Sequence, residues 1–183
     1  MTKPHLATAC ASSICISSCG NFGVVGYTSG HIDCFNLQSG LHRKSFKYSE
    51  RKSKAHQSAV QGLALDLFNK QLVSAERDGL LRFWDFRWVK LIAELKVPSP
   101  VVQFCMCSTN SLLAIGVGNG SIGIVDVLCR KVVRIFSGAH KSKLTALDFS
   151  PDGKWLVSAD EDGLIKVCLS IHILNTSETH LHC

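Results

Sequence analysis

No apolar run in these 183 residues approaches the ~20 that a membrane-crossing helix needs, and residues 1–10 show no signal-peptide pattern. No stretch sustains a helical period of apolar residues. The nine cysteines include no Cys-x-x-Cys pair: Cys105 and Cys107 are two apart, Cys15 and Cys19 four apart. Zinc ligation favours tighter, repeated pairs, so the cysteines read as small buried hydrophobes in a reducing compartment. Asn175-Thr176-Ser177 matches a glycosylation acceptor in form only, because nothing else in the chain points to secretion. No metal set, cofactor fingerprint or small-molecule site is expected. Gly116, Gly118, Gly120 and Gly123 resemble a phosphate loop superficially, but β-type text follows them where a helix is required, and they read as turn glycines.

What the chain does have is an internal repeat. His56, Ser74, Asp78 and Trp84 are separated by 18, 4 and 6 residues, and His140, Ser158, Asp162 and Cys168 by the same steps. The text of 72–84 parallels that of 156–168, at an offset of 84. That offset is two units of a ~40–45-residue WD repeat. Another repeat is then expected between them, and Asn119-Gly120 with Ile122, Ile124 and Val125-Asp126 supplies it. One more lies upstream at Ser29-Gly30 with Ile32, Cys34 and Phe35-Asn36. Glycines 30, 79, 120 and 163 fall 49, 41 and 43 residues apart. Short apolar runs between Gly, Asn, Asp and Ser turns complete an all-β signature. The expected fold is a partial WD40 β-propeller of about four repeats, the last incomplete.

The recurring polar columns imply a buried network. A His ahead of the innermost strand can meet a Ser on the second strand, an Asp in the following turn can bind the His, and an indole N–H can reach the Ser. Such a network stabilises only when every member is satisfied. The members are expected to be His56, Ser74, Asp78 and Trp84, then His140, Ser158 and Asp162. A nucleophilic triad is the rival reading. It is disfavoured because Ser74 and Ser158 lie in strand text, away from any exposed nucleophile elbow, and because the arrangement repeats.

The domain layout follows. Residues 1–12 lead in, 13–46 form repeat 1, 47–55 a basic linker, 56–95 repeat 2, 96–136 repeat 3 and 137–167 an incomplete repeat 4. Repeat 3 has lost the polar columns, holding Ile115, Asn119 and Val125 instead. Ser150-Pro151-Asp152-Gly153 suits a type I turn. After Val167 the repeat text stops where Trp-Asp is due. Residues 168–183 are expected to be a non-repeat tail, from a truncated or alternatively spliced product, rather than the alternative of a divergent last blade. Open end faces are expected to show Ile14, Val24 and Val25 in the first repeat and Leu147, Phe149 and Leu156 in the last.

Charge is uneven within a formal balance of +6. Arg43, Lys44, Lys47, Arg51, Lys52 and Lys54 crowd into twelve residues with only Glu50 opposing. Two readings stay open: a solvated loop joining two repeats, or a contact for RNA phosphates or a partner.

A more particular resemblance rests on longer text. Ser18-Cys19-Gly20-Asn21-Phe22, Gly30, and Phe35-Asn36-Leu37-Gln38-Ser39-Gly40 carry it, with the runs 130–138 and 149–155. Together they resemble the U3 small nucleolar RNA-associated WD-repeat proteins of the small-subunit processome. Ala139 departs from the pattern by separating Gly138 from His140. The resemblance covers about residues 10–167. It implies a large protein of the nucleus and nucleolus with two tandem propellers and a helical C-terminal domain, of which this chain is a piece of one propeller, the second. It implies a non-catalytic scaffold in pre-rRNA processing, beside other WD-repeat subunits, U3 snoRNP and pre-rRNA. A generic WD adaptor of a ubiquitin ligase or signalling complex is the alternative.

Overall fold

The computed structural model describes residues 10–49 and 53–169. Among the described residues there is no helix, and all regular structure is antiparallel sheet. The chain divides into two compact units, residues 1–98 and 99–183.

The first unit holds two four-stranded meanders. Sheet 1 runs β1 (Ala11–Ile16), β2 (Phe22–Tyr27), β3 (Ile32–Asn36) and β4 (His42–Phe46). Sheet 2 runs β5 (Val60–Leu65), β6 (Gln71–Glu76), β7 (Leu80–Asp85) and β8 (Lys90–Lys96). Alternate residues of a strand face opposite ways, and here one face of each sheet meets the other. Val24, Ile32, Cys34 and Phe46 of sheet 1 pack on Val60, Leu63, Leu72, Trp84 and Phe86 of sheet 2. Phe46 meets Trp84 edge to face at 5.7 Å between centroids, the geometry that aromatic quadrupoles prefer.

The second unit repeats the plan. Sheet 3 comprises β9 (Val101–Met106), β10 (Leu112–Val117), β11 (Ile122–Asp126) and β12 (Lys131–Phe136). Sheet 4 comprises β13 (Leu144–Phe149), β14 (Trp155–Asp160) and β15 (Ile165–Leu169). Leu112, Ala114, Ile122 and Ile124 pack on Leu144, Leu147, Phe149 and Leu156. The turn at 150–153 closes with the Gly153 amide donating to the Ser150 carbonyl at 2.8 Å.

Two expectations are corrected here. Pairing continues past Val167: Cys168 lies opposite Leu156 and Leu169 opposite Trp155 within β15. The rest of the expected tail, from residue 170, falls outside the described residues. Val24, Leu147, Phe149 and Leu156, expected at open faces, are buried in the two cores, because the strand alternation turns them toward the neighbouring sheet. Apolar side chains left in solvent on these strands include Ile14 and Ile16 on β1, Val157 on β14, and Ile165 and Val167 on β15.

Candidate functional site

Sheet 2 carries a polar chain from loop to core. His56 precedes β5 and is fully buried, as are Ser74 on β6 and Trp84 on β7. The His56 Nε2 lies 2.6 Å from Ser74 Oγ, and the Trp84 indole N–H donates to the same oxygen at 2.8 Å. Ser74 thus accepts from Trp84 and donates its hydroxyl proton to an unprotonated Nε2, which leaves the His56 proton on Nδ1. That nitrogen faces Glu76 Oε2 at 3.2 Å. His56 and Ser74 then each use one donor and one acceptor, while Trp84 only donates and Glu76 only accepts; Arg82 Nη1 also lies 3.4 Å from His56 Nδ1. Burial pulls the His56 pKa from 6.5 down to about 4, against the pull of the Glu76 hydrogen bond, so the ring is neutral at pH 7.

The acid of this network is Glu76, not the expected Asp78. Residues two apart on a strand share a face, so Ser74 and Glu76 of β6 point together at His56, while Asp78 has left the strand. Glu76 also accepts a hydrogen bond from the Ser58 amide. Burial works against its charge, but hydrogen bonds from Ser58 and His56 outweigh this and hold its carboxyl below the usual range. Asp78 sits in the exposed β6–β7 turn, where it accepts from the Leu80 amide and pairs with Lys96 at 3.0 Å. Arg82, buried beside the network, bonds Glu94 at 2.7 Å and the Ala55 carbonyl, and its guanidinium lies over the Tyr48 ring at 4.6 Å. Sequence reasoning did not single out Glu76 or Arg82. The Glu76/Asp160 pair of acids in the two aligned stretches was the available signal.

Sheet 4 builds the same core of the network. His140 Nε2 lies 2.7 Å from Ser158 Oγ, and its Nδ1 lies 2.9 Å from Asp160 Oδ2. Asp160 replaces the expected Asp162 for the same reason of strand alternation. Asp162 is exposed, and its amide donates to Asp160 Oδ1. Cys168 occupies the position of Trp84. Ser74 and Ser158 are both buried. Among the described residues no group of three His, Cys, Asp or Glu side chains could hold a metal ion.

Glycine positions fix each histidine from the preceding sheet. The His56 amide donates to the Gly30 carbonyl and the His140 amide to the Gly120 carbonyl, both at 2.9 Å. Gly30 and Gly120 have φ of +84° and +78°, the left-handed region, and the next histidine's carbonyl fills the space a Cβ would need.

The basic loop divides. Arg43, Lys47 and Lys54 are exposed. Lys44 turns inward instead: its ammonium donates to the Phe86 carbonyl and sits 3.9 Å from the Phe86 ring centroid. Burial draws its pKa below the ordinary lysine value. The strand alternation that buries Cys34 and Phe46 turns Lys44 toward the same side, where it is partly buried. Arg51 and Lys52 lie outside the described residues.

The sequence compares closely with proteins of one kind. A family model described as the WDR36/Utp21 second beta-propeller domain matches residues 2–174. The U3 small nucleolar RNA-associated protein 21 homolog of Schizosaccharomyces pombe is 43% identical over 154 residues, 84% of this chain and 16% of its own length. WD repeat-containing protein 36 of Homo sapiens is 39% identical, over 85% of this chain and 17% of its own. The U3 small nucleolar RNA-associated protein 21 of Saccharomyces cerevisiae is 38% identical, over 84% and 16%. The chain thus spans 16–17% of the length of these curated relatives.

Proposed function

The chain belongs to the WDR36/Utp21 second β-propeller family, and from that premise we propose that it is a non-catalytic scaffold segment of the nucleolar small-subunit processome. The observation that carries this reading is the family match along residues 2–174, joined to relatives of 38–43% identity, two of which bear names of U3 small nucleolar RNA-associated proteins. A scaffold role also suits the polar networks. Their serines are buried in the sheets, and their histidines hold strands to loops.

In this reading the partners are other WD-repeat processome subunits, with U3 snoRNP and pre-rRNA close by in the nucleolus. The exposed cations of the basic loop, Arg43, Lys47 and Lys54, meet RNA phosphate by sequence-independent attraction.

The test is recovery of RNA and protein on the tagged 183-residue chain from nucleolar extract. U3 RNA enriched over an unrelated small nuclear RNA is the expected result. Ubiquitin-ligase or signalling subunits with U3 at background would replace the scaffold reading with the generic adaptor.

A further inference from the structure

One end of sheet 2 carries an unusual surface. The β5–β6 turn and the β7–β8 turn lie at the same end of the meander, side by side, because Gln71 pairs with Asp85 and the Phe86 amide donates to the Lys70 carbonyl at 2.8 Å. The first turn presents Leu67 and Phe68 and the second Trp88, with Phe68 72% and Trp88 66% exposed. Single exposed apolar residues need no explanation, but adjoining large ones mark contact surfaces.

Both turns are held firmly. Asp66 Oδ1 accepts from the Lys70 and Gln71 amides at 2.6 and 2.9 Å, and Asp85 Oδ1 accepts from the Trp88 amide at 2.7 Å. Asn69 Oδ1 accepts from the Ser18 amide of the β1–β2 turn, pinning the tip to sheet 1. The aromatic rings are therefore presented on rigid supports, which lowers the ordering cost of binding.

The charges lean positive: Lys70, Arg87 and Lys90 stand against Asp66 and Asp85, each of which has one carboxylate oxygen held by turn amides. Lys70 and Arg87 lie over the Phe68 and Trp88 rings, at 5.6 and 5.0 Å from the centroids. Neither these two cations nor Lys90 pairs with a carboxylate among the described residues. Trp, Phe and Arg are the residues that dominate protein interface cores. A nucleic-acid strand would call for a continuous cationic track beside the rings, whereas here Leu67, Asp66 and Asp85 interrupt it.

We propose that the Leu67–Phe68–Trp88 tip, flanked by Lys70, Arg87 and Lys90, docks an acidic protein segment that lays a leucine or aromatic anchor against the exposed Phe68 and Trp88 side chains. This surface is built by the two sheet 2 turns and not by Arg43, Lys47 or Lys54, and it goes beyond the processome reading, so its failure would leave U3 recovery unaffected.

A random dodecapeptide library displayed on phage, panned on the 183-residue chain, tests it. Enriched peptides should be rich in Asp and Glu around a Leu, Phe or Trp. A synthetic peptide of the leading sequence should bind Phe68→Ser/Trp88→Ser roughly tenfold or more weakly, as expected for interface anchors. Both positions are exposed, so the thermal midpoint of that variant should stay near that of the parent. Lys70→Glu/Arg87→Glu, which leaves the rings in place, should abolish selection of acidic peptides. Peptides that bind all three proteins alike, or that are basic, would overturn the proposal. So would a twelve-residue oligo(U) RNA that binds the parent chain and is lost with the same substitutions, since the tip would then be a nucleic-acid surface.

Discussion

Gly30 and His56 meet backbone to backbone: the His56 amide donates to the Gly30 carbonyl at 2.9 Å, and the His56 carbonyl fills the space beside the Gly30 Cα. Turn and histidine belong to consecutive sheets, so this contact sets where the second sheet begins relative to the first. Gly30→Ala would both strain a φ of +84° and push a methyl into backbone that cannot swing aside. The expected loss is about 2–5 kcal/mol, the sum of a left-handed penalty and an overpacking penalty. Gly40→Ala, also at positive φ but with open space around it, should cost only the first part. Urea unfolding of both variants checks the difference, and equal losses would refute the contact.

Removing Trp84 should be the costliest change in the sheet 2 network. Trp84→Ala empties a fully buried site and strips Ser74 of a donor, an expected loss of roughly 3–5 kcal/mol. Glu76→Gln should cost about 1–3 kcal/mol by leaving His56 without its carboxylate, and Asp78→Asn should change little. A double-mutant cycle between Trp84 and Glu76 should show non-additivity, because Ser74 and His56 link them. If Asp78→Asn proved the more damaging of the two acid substitutions, the assignment of Glu76 would be wrong.

Acid should loosen the first unit through His56. The folded ring titrates at about 4 and the free ring near its ordinary 6.5, so between those values the unfolded chain takes up a proton that the folded chain refuses. Stability is therefore complete above pH 6.5 and falls as the pH drops toward 4, by an amount on the order of 3 kcal/mol over the full span. Glu76, whose carboxyl is held below its usual range, acts in the same direction. Urea midpoints at pH 7.5 and 5.0 give the measurement, and His56→Gln should flatten the difference. A midpoint that rises on acidification would contradict the neutral, buried ring.

How much of this was legible beforehand differs between fold and site. The sheets were, because turn glycines and alternating strands write their period directly into the text. His56, Ser74 and Trp84 were legible as columns, since each is a chemically distinctive residue at a fixed step. The acid was not: Asp78 and Asp162 are the identical pair, and Glu76 and Asp160 merely the similar one. Identity pointed to the turn, while side-chain direction, which depends on where β6 and β14 end, selected the strand. Lys44 eluded the sequence for a related reason. Composition counts a lysine as surface charge, and only the alternation through Cys34, Lys44 and Phe46 shows that it faces inward.

The basic loop should respond residue by residue. If RNA is met there, Arg43→Gln, Lys47→Gln and Lys54→Gln should each make the log–log salt dependence of binding shallower, by about 0.7 unit per contact for a single strand. Lys44→Gln should leave that slope alone and lower the unfolding midpoint instead, because its ammonium is spent on Phe86. Filter binding over a salt series separates the two. A slope that depends on Lys44 as much as on Arg43 would place Lys44 at the surface.

Exposed apolar sheet faces should make the 183-residue chain self-associate. Ile14 and Ile16 at one face and Val157, Ile165 and Val167 at another stand in solvent without cover. Ile165→Lys with Val167→Lys should shift sedimentation toward the monomer, whereas Leu37→Lys, at an exposed turn, should not. A parent chain that sediments as a single monomer at every concentration would end this expectation.

Each sheet draws its strands from one unbroken stretch, with sequence neighbours lying side by side. Synthesis from the ribosome therefore delivers whole sheets in order, at ~5–20 residues per second, and the short closures between neighbouring strands are fast on that scale. By the time His56 emerges, the Gly30 turn already stands ready to receive its amide, so translation and docking advance in the same direction. A pause between residues 46 and 56 would instead leave Val24, Ile32 and Cys34 bare on a finished first sheet. Nascent chains stalled with residues 46–56 just outside the ribosome should crosslink to chaperones more strongly than chains stalled with Lys96 outside it, where the second sheet has covered them.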